Sequence, residues 1–367
     1  MANDEADRRP VRTGKPRAPA TLKEIARRAG VHPSTVSRAL DPQKRHLVAD
    51  EVAERVAELA KAMDYRPNRV ATTLKTGRSR LIGVLLPDIS NPVFAPILGG
   101  IAEALATEGY APVVIDAGND ASRQIEMIDS LLVQRVEGLI LATVSSEDEV
   151  LGHCIRNGMP AVLVNRFEIR SRVSSVVSND DKGMQLAVDH LAAQGHRIIG
   201  HIAGPRHTST GMLRREGFAK AMARHRLKTH VEEAERYTRE CGLPPAQKLI
   251  GRVKGLTAIV AANDLLALGA IDAVHRLGLR CPDDISIVGH NDMPLVDLIS
   301  PPLTTVRIEH RAMGRMAAEL MLKELAATAP ASVRMVLEPA LIVRQSTKAP
   351  AADARPAAQP GSRQTAR

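Results

Sequence analysis

The chain has 367 residues, enough for two or three domains with large buried cores, and carries a formal net charge of +9 with only three Tyr, three Phe and no Trp. It has no run of ~20 apolar residues that would span a membrane, and residues 1–20 lack the apolar segment of a secretory signal. Cys154, Cys241 and Cys281 are too widely spaced for a disulfide framework or a zinc site, which fits a reducing cytosol.

The positive charge is concentrated at the N-terminal end. Residues 1–80 hold 18 Lys and Arg against 10 Asp and Glu, whereas the remaining residues hold 32 against 31. Residues 1–20 are also rich in Pro and Ala, which predicts a disordered basic tail. This distribution predicts a polyanionic partner for the N-terminal part of the chain alone.

Two short helices are predicted between Thr21 and Asp41. Thr21 and Glu24 have the spacing of a capping box at a helix start. Gly30 stands where that helix would end in the left-handed conformation, and Pro33 suits the first position of a second helix. Two short helices joined by a glycine turn form a helix-turn-helix.

The second helix has a short polar face. Ser34, Ser37 and Arg38 lie opposite the apolar residues Val36 and Leu40. Hydroxyls and a guanidinium suit base edges and phosphates in a DNA major groove. Periodicity alone leaves a second interpretation open, in which this helix and a third over about residues 50–63 form a packing unit with a solvated face.

Residues 68–77 predict a short helix with almost nothing to bury. At about two turns it is marginal in water by itself. Ala71 and Leu74 share one face, so the helix either forms on DNA with Leu74 inserted between base steps in the minor groove, or is an ordinary linker.

From Leu81 onward, apolar strands alternate with helices, which predicts parallel sheets covered on both faces. Strands are expected at 81–86, 111–116, 138–142, 160–165, 197–204, 257–262 and 285–290. Helices are expected near 93–108, 124–134, 148–157, 181–194, 212–226, 264–277 and 310–325, with strand pieces near 333–343. Residues 347–367 are expected to be a disordered tail.

The α/β region contains two similar rounds. LIGVLLPD at 81–88 is echoed by IIGHIAGP at 198–205, each a strand that runs into a proline-containing loop. This predicts two doubly wound lobes, one of about 80–180 and 310–337 and the other of about 181–306 and 338–345. Loops at the carboxyl ends of the strands would line a cleft between them.

Several motifs, in this order, are similar to one family. They are EIARRAGVHPSTVSRAL, YRPNRVATTLKTG, IGVLLPDISNPVFAPILGGI, the RxxGF of 214–218, AANDLLALGA, DISIVGHNDMP and PPLTTV. From about Thr21 to Arg344 the chain resembles the LacI/GalR family of bacterial transcription regulators. The resemblance implies a helix-turn-helix domain at 21–66, a hinge helix at 67–79, and a core at 80–346 similar to periplasmic sugar-binding proteins. It also implies a homodimer that binds a palindromic operator.

The resemblance carries the family's site residues onto specific positions. The implied DNA-binding residues are Thr21, Pro33, Ser34, Thr35, Ser37, Arg38, Asn68, Arg69, Ala71 and Leu74. The implied effector-binding residues are Asp88, Asn91, Phe94, Arg166, Arg214, Asn263 and Asn291. Phe94 is positioned to stack on a ligand ring, and Arg214 and Asn263 to hydrogen-bond ligand oxygens. No catalytic residue, metal or cofactor is implied.

Three positions depart from the family pattern. His32 replaces a serine that often caps the recognition helix, so it either contacts a phosphate or caps less well. Ala49 stands where a capping Ser or Thr is common. Asn291 stands where sugar-binding members often have an aspartate and, together with Arg166 and Arg214, it permits an anionic ligand such as a sugar acid.

Three functions are compatible with parts of this pattern. The favoured one is a cytoplasmic, nucleoid-associated DNA-binding regulator, a repressor whose operator affinity responds to a sugar or sugar acid. A solute receptor of the same two-lobed class is disfavoured by the basic N-terminal part and the missing signal peptide. An enzyme is disfavoured because the chain has no GxxxxGK[ST], HExxH or GxSxG motif, and no GxGxxG after a first strand.

Overall fold

The computed structural model describes residues 20–41, 44–65, 77–143, 145, 148–327 and 331–351. The predicted hinge residues Asn68, Arg69, Ala71 and Leu74 lie outside the described residues, as do residues 1–19 and 352–367. Contacts divide the chain into two units, 1–79 and 80–367.

The N-terminal unit contains helices α1 (Leu22–Ala29), α2 (Pro33–Ala39) and α3 (Asp50–Ala62), with one 3-10 turn at Arg45–Leu47. Ile25, Val36 and Val56, one from each helix, are fully buried against one another in a small core. The expected helix-turn-helix and third helix are therefore present.

The local signals at the helix ends act largely as predicted. The Thr21 Oγ1 accepts a hydrogen bond from the Glu24 amide at 3.3 Å, and Gly30 ends α1 with φ of 68°. In a full capping box the Glu24 side chain would accept a hydrogen bond from the Thr21 amide. Here the Glu24 carboxylate accepts hydrogen bonds from Arg27 at 2.7 Å and from Arg28 at 3.2 Å. Ala49 provides no side-chain cap for α3. Caps and one left-handed glycine thus define the ends of α1 without any tertiary contact.

The described strands of the core form two six-stranded sheets. Sheet 1 has the order β11-β5-β4-β3-β1-β2 and contains β1 (Leu81–Leu86), β2 (Ala111–Asp116), β3 (Gly138–Leu141), β4 (Ala161–Val164), β5 (Ser175–Ser178) and β11 (Arg334–Leu337). Sheet 2 has the order β12-β10-β9-β8-β6-β7 and contains β6 (Ile199–Ala203), β7 (His230–Glu233), β8 (Ala258–Ala261), β9 (Ser286–Asn291), β10 (Thr304–Arg307) and β12 (Ala340–Ile342).

Sheet 1 and the helices that cover it are called lobe 1, and sheet 2 with its helices lobe 2. Neighbouring described strands pair in parallel, except β12, which is antiparallel to β10. The helices of the core are α4 (Phe94–Thr107), α5 (Ala121–Val133), α6 (Glu149–Arg156), α7 (Asp180–Ala193), α8 (Ser209–Arg224), α9 (Arg239–Arg252), α10 (Asp264–Arg276) and α11 (His310–Ala326).

Both faces of each sheet are covered, as the apolar strands predict. In lobe 1, one apolar cluster joins the sheet to α4 and α11, and another joins it to α5 and α6. In lobe 2, the corresponding clusters involve α7 with α8 and α9 with α10. The close packing of α4 on α11 requires glycine, because a side chain at Gly100 of α4 would overlap the backbone of Arg311 in α11.

Several elements were not predicted. β7 is polar and only partly buried, because it is the edge strand of sheet 2. α9 contains Pro244 and Pro245, which remove two backbone donors and usually interrupt a helix. β5 and β10, each four residues long, were also missed.

The predicted start of the C-terminal tail is wrong. Ser346 and Lys348 extend lobe 2, because the Ser346 carbonyl accepts from the Ile287 amide at 2.8 Å and the Lys348 amide donates to the Ser286 Oγ at 3.1 Å. Thr347 is buried, with its Oγ1 2.9 Å from the His190 Nε2. The composition of this segment resembles a tail, but its backbone pairs with the strand of residues 286–291.

Candidate functional site

The polar face predicted on α2 is present. Ser34 and Arg38 are exposed, Pro33, Thr35 and Ser37 are partly exposed, and Val36 turns into the core. Thr21 is exposed at the start of α1. The unit therefore presents the hydroxyls and the guanidinium that the sequence places on a DNA-reading helix, and base contact by these residues stays a prediction.

His32 caps α2 in place of the more usual serine. Its Nδ1 accepts from the Ser34 amide at 3.3 Å and lies 2.9 Å from the Ser34 Oγ. This hydrogen bond has the same length as the one from the Glu24 amide to the Thr21 Oγ1 at the start of α1, 3.3 Å, so His32 acts as a helix cap. The cap also holds Ser34, an implied DNA-reading residue, through its hydroxyl.

A cleft of about 640 Å³ opens between the two lobes of the core. Its lining comes from segments that follow the carboxyl ends of strands in both sheets, among them Asp88 after β1 and Asn263 after β8. Parallel sheets place their ligand sites at these strand ends, and the volume suits a small molecule.

All seven residues implied for effector binding line this one cleft. They are Asp88, Asn91, Phe94, Arg166, Arg214, Asn263 and Asn291. They come from five separate segments of the chain, so only the fold brings them together. Their contact with a ligand remains a prediction.

Arg214 is held rigidly in the cleft wall. Its Nε donates to the Asp180 carboxylate at 2.7 Å, and its Nη1 donates to the Ala262 carbonyl at 2.6 Å. Both side chains of the ion pair are at most 5% exposed. Burial raises the pKa of Asp180, and the Arg214 charge opposes that shift. Arg214 thus reaches the cleft already neutralised and oriented.

Arg166 differs from Arg214 because it forms no direct ion pair with a described residue, although the charge of Asp148 acts on it at longer range. Its Nη1 donates to the Thr143 carbonyl at 3.2 Å, while its buried Nε has no hydrogen-bond partner among the described residues. Burial lowers the pKa of this guanidinium. Burying a cation without a direct counter-charge is unfavourable, so this group favours a ligand that brings one.

Among the remaining predicted residues the asparagines can donate through their side-chain NH2 groups, whereas the Asp88 carboxylate is an acceptor and receives the Ser90 amide at 2.9 Å. The Asn263 Oδ1 accepts from the Leu266 amide at 2.9 Å and caps α10, so its amide group is left for a ligand. The Asn91 Oδ1 similarly accepts from Val93 at 3.2 Å. Phe94 is only 3% exposed and packs in the core of lobe 1, which leaves little ring surface for stacking.

Other cleft residues were missed from the sequence. They lie at or after the ends of β2, β4 and β7 and are Asp116, Asn119, Arg123, Asn165, Glu235, Arg236, Tyr237 and Thr238. Tyr237 adds an aromatic wall, with its hydroxyl 3.1 Å from the Thr210 Oγ1. Tyr237 escaped prediction because β7, the strand before it, was not recognised. The other missed residues share one feature, a position at or shortly after the end of a strand, which the sequence does show for β2 and β4.

One hydrogen bond joins the lobes beside the cleft. The Phe167 amide, which follows β4 in lobe 1, donates to the Ser209 Oγ at the start of α8 at 3.1 Å. Both residues are buried. This hydrogen bond therefore links the two lobes directly at one side of the cleft.

Asp264, next to Asn263, provides a pH-dependent prediction. Its carboxylate accepts from the Thr305 Oγ1 at 2.5 Å and from the Met293 amide at 2.8 Å, and burial raises its pKa to about 7. A group whose pKa is raised in the folded state stabilises the fold below its unfolded pKa, and this contribution is lost as the pH rises through the folded value.

The quantity to compare is the thermal midpoint of the core in the unaltered protein minus that in Asp264→Asn. We expect this difference to fall as the pH rises from about 4 to about 7, near the raised pKa of Asp264. Calorimetry of both proteins across this range measures the difference. A difference that did not change with pH would contradict the assignment.

Both parts of the chain resemble known protein families. The family model for bacterial regulatory proteins of the lacI family matches residues 21–68, and a periplasmic binding protein-like domain matches residues 188–347. The transcriptional regulator MalR of Streptomyces coelicolor is 34% identical over 91% of this chain and 99% of its own length. The chain belongs to the LacI family of bacterial regulatory proteins.

Other members of the LacI family align over a similar span. The CytR repressor of Escherichia coli is 30% identical over 92% of this chain and 99% of its own length. A lac repressor dimer bound to operator and the anti-inducer ONPF superposes with a TM-score of 0.81 at 29% identity, covering 90% of this chain and all of that one. These relatives are transcriptional regulators and repressors, so the chain is a DNA-binding transcriptional regulator and not an enzyme.

No helix among the described residues is long and apolar enough to cross a membrane.

Proposed function

We propose that this regulator is a homodimeric repressor that binds a palindromic operator and is controlled by a sugar or sugar acid in the cleft between its lobes. The observation that carries the proposal is the convergence of Arg166, Arg214 and Asn263 on one cleft of about 640 Å³. Buried donors of this kind suit ligand hydroxyl and carboxylate oxygens. The proposal includes a nucleoid-associated location in the cytoplasm, where the operator lies.

The ligand class is supported by both the relatives and the charge of the cleft. A ribose operon repressor from Halalkalibacterium halodurans is 30% identical over 89% of this chain and 97% of its own length. A CelR regulator in complex with cellobiose superposes with a TM-score of 0.69 at 28% identity, covering 89% of this chain and 99% of that one. Arg166, which forms no direct ion pair with a described residue and has an unpartnered Nε, favours an acid over a neutral sugar.

Control of DNA binding follows from a two-state element. In the proposed mechanism, ligand in the cleft stabilises one arrangement of the lobes and changes the spacing between the two DNA-binding units of the dimer. The hinge helices that the sequence predicts at 68–77 would then form or melt. One recognition helix reads only a few base pairs, so a dimer on two half-sites supplies the needed specificity. The proposal also includes insertion of Leu74 into the minor groove. The Leu74→Ala variant is expected to weaken operator binding.

The experiment has two steps. Genomic fragments bound by the purified protein are selected with and without candidate ligands, which yields the operator and shows whether the ligand releases or promotes binding. Calorimetric titration then compares sugar acids with their neutral parents. Tighter binding of an acid supports the proposal, and preference for the neutral compounds contradicts the acidic effector. If none of the ligands changed operator binding, the sugar-controlled repressor would be refuted.

A further inference from the structure

A second cavity, of about 800 Å³, lies at the opposite end of the strands that line the effector cleft. We call it the basic pocket. It is lined by segments just before β6, β7 and β8, by the first residues of β7 and by one side chain from α8. Its residues are Arg197, Ile198, Arg215, Lys228, Thr229, His230, Val231, Arg252, Val253 and Lys254.

The basic pocket is separate from the effector cleft. Residues before β6, β7 and β8 line the basic pocket, whereas Pro205, Glu235 and Asn263, which follow the same strands, line the effector cleft. Strands of four or five residues separate the two sites by roughly 13–17 Å at about 3.3 Å per residue. A ligand of the basic pocket therefore occupies a different site from a ligand of the effector cleft.

The charge of this pocket has one sign. Five of its ten lining residues are Lys or Arg, and none is Asp or Glu. Two of these cations pair with carboxylates nearby, Arg252 with Glu232 at 2.8 Å and Arg215 with Glu233 at 3.7 Å.

The other three have no carboxylate partner among the described residues. Arg197 donates to the carbonyls of Ala192 and His196, both at 3.0 Å, which aims its guanidinium without neutralising it. Lys228 and Lys254 are exposed, and neither has an ion-pair partner in the described part of the chain. Three positive charges thus converge on one cavity.

A nearby histidine reports on this positive field. His230, the first residue of β7, is partly exposed in the pocket. Burial lowers its pKa, and the charges of Lys228 and Arg252 lower it further. An anion in the pocket would offset those charges and favour the protonated imidazole, which could then donate to it.

The fold itself does not require this arrangement. A few lysines along β7 would protect an exposed sheet edge. Here the cations instead come from three different strand entries and surround a concavity, where like charges repel. A concave site of this size fits a small molecule better than a duplex, whose phosphates follow an extended path.

We propose that the basic pocket binds a small phosphate-bearing ligand, with Arg197, Lys228 and Lys254 as its charge partners and His230 as a hydrogen-bond donor. Clustered cations of this kind make charge-assisted hydrogen bonds to phosphate oxygens. The regulator then has a second ligand site, on lobe 2, beside the one in the interlobe cleft.

The test is calorimetric titration of the full chain with inorganic pyrophosphate at fixed ionic strength. The variant Lys228→Ala/Lys254→Ala is compared with Lys248→Ala/Lys323→Ala, which loses the same charge from exposed positions outside the pocket. We expect at least tenfold weaker binding for the first and a change within twofold for the second. The N-terminal unit is unaltered in both, so any phosphate binding there cancels. Equal affinities for the two variants would overturn the proposal.

Two further measurements keep the test specific. The imidazole signal of His230, assigned with His230→Gln, is expected to titrate at higher pH when pyrophosphate is bound, and an unchanged titration contradicts direct contact. Sulfate at the same ionic strength is expected to bind at least tenfold more weakly, whereas equal affinity would indicate a general anion surface and reject a phosphate site. A nucleoside diphosphate that competes with pyrophosphate would identify an organic phosphate as the source, and one that does not compete leaves inorganic phosphate as the source.

Discussion

The Arg214→Ala variant is expected to lose effector binding and to lower the free energy of unfolding of the core by about 3–5 kcal/mol. Arg214 and Asp180 form an ion pair that is at most 5% exposed, so removing the guanidinium leaves a buried carboxylate without a partner. The loss is expected to be smaller at acidic pH. Burial raises the pKa of Asp180, and a protonated carboxyl no longer needs the partner. Calorimetric titration and thermal unfolding measure the two effects.

Two further variants separate fold from binding. Arg215→Ala removes the neighbouring arginine on the same helix, whose ion pair with Glu233 is about one-third exposed and therefore worth at most about 1 kcal/mol. The double variant Asp180→Asn/Arg214→Ala is expected to recover part of the stability, because it removes the unpaired charge, but none of the effector affinity. If the double variant bound effector normally, Arg214 would act only through the fold.

The Arg38→Ala variant is expected to weaken operator binding by about 10–100-fold, which corresponds to ~1–3 kcal/mol for a lost base contact. Arg38 is exposed on the polar face of α2, opposite the buried Val36, so its removal leaves the small core intact. Effector affinity is expected to stay unchanged, because Arg38 belongs to the other unit of the chain. Fluorescence anisotropy with the selected operator and with random duplex measures the effect.

The matched control is Arg55→Ala, which removes an equally exposed positive charge from α3. A loss of charge that acts only on phosphates weakens binding to both duplexes alike. The ratio of operator to random-duplex affinity is therefore expected to fall for Arg38→Ala and to hold for Arg55→Ala. Normal operator binding by Arg38→Ala would exclude α2 as the reading helix.

Local signals predicted the N-terminal unit well. The cap at Thr21, the left-handed Gly30 and Pro33 at the first position of α2 act within a few residues of chain, so they can be recognised without tertiary context. Strands β1 and β8 were equally predictable, because they are buried on both faces and read as apolar runs. Here sequence and structure agree because the determining contacts are short-range or the burial is complete.

Elements at the edge of the fold were less predictable. β7 lies at the edge of sheet 2, so its HVEE sequence needs no apolar run. α9 includes Pro244 and Pro245, which argue against a helix, yet its apolar residues pack tightly against α10. Missing these two elements concealed Tyr237, which lies between them in the cleft wall.

The sequence by itself determined the helix-turn-helix, the two α/β lobes and the excess charge at the N-terminal end, and its resemblance to the LacI/GalR family implied seven residues that share one cleft. Only the tertiary structure decided the charge state of that cleft. Arg214 is neutralised by Asp180, which lies 34 residues earlier in the chain, whereas Arg166 forms no direct ion pair with a described carboxylate. The tertiary structure also brings together the basic pocket from segments that precede three different strands. Counter-charges and convergence depend on distances in space, and residues far apart in the chain carry no local pattern that encodes those distances.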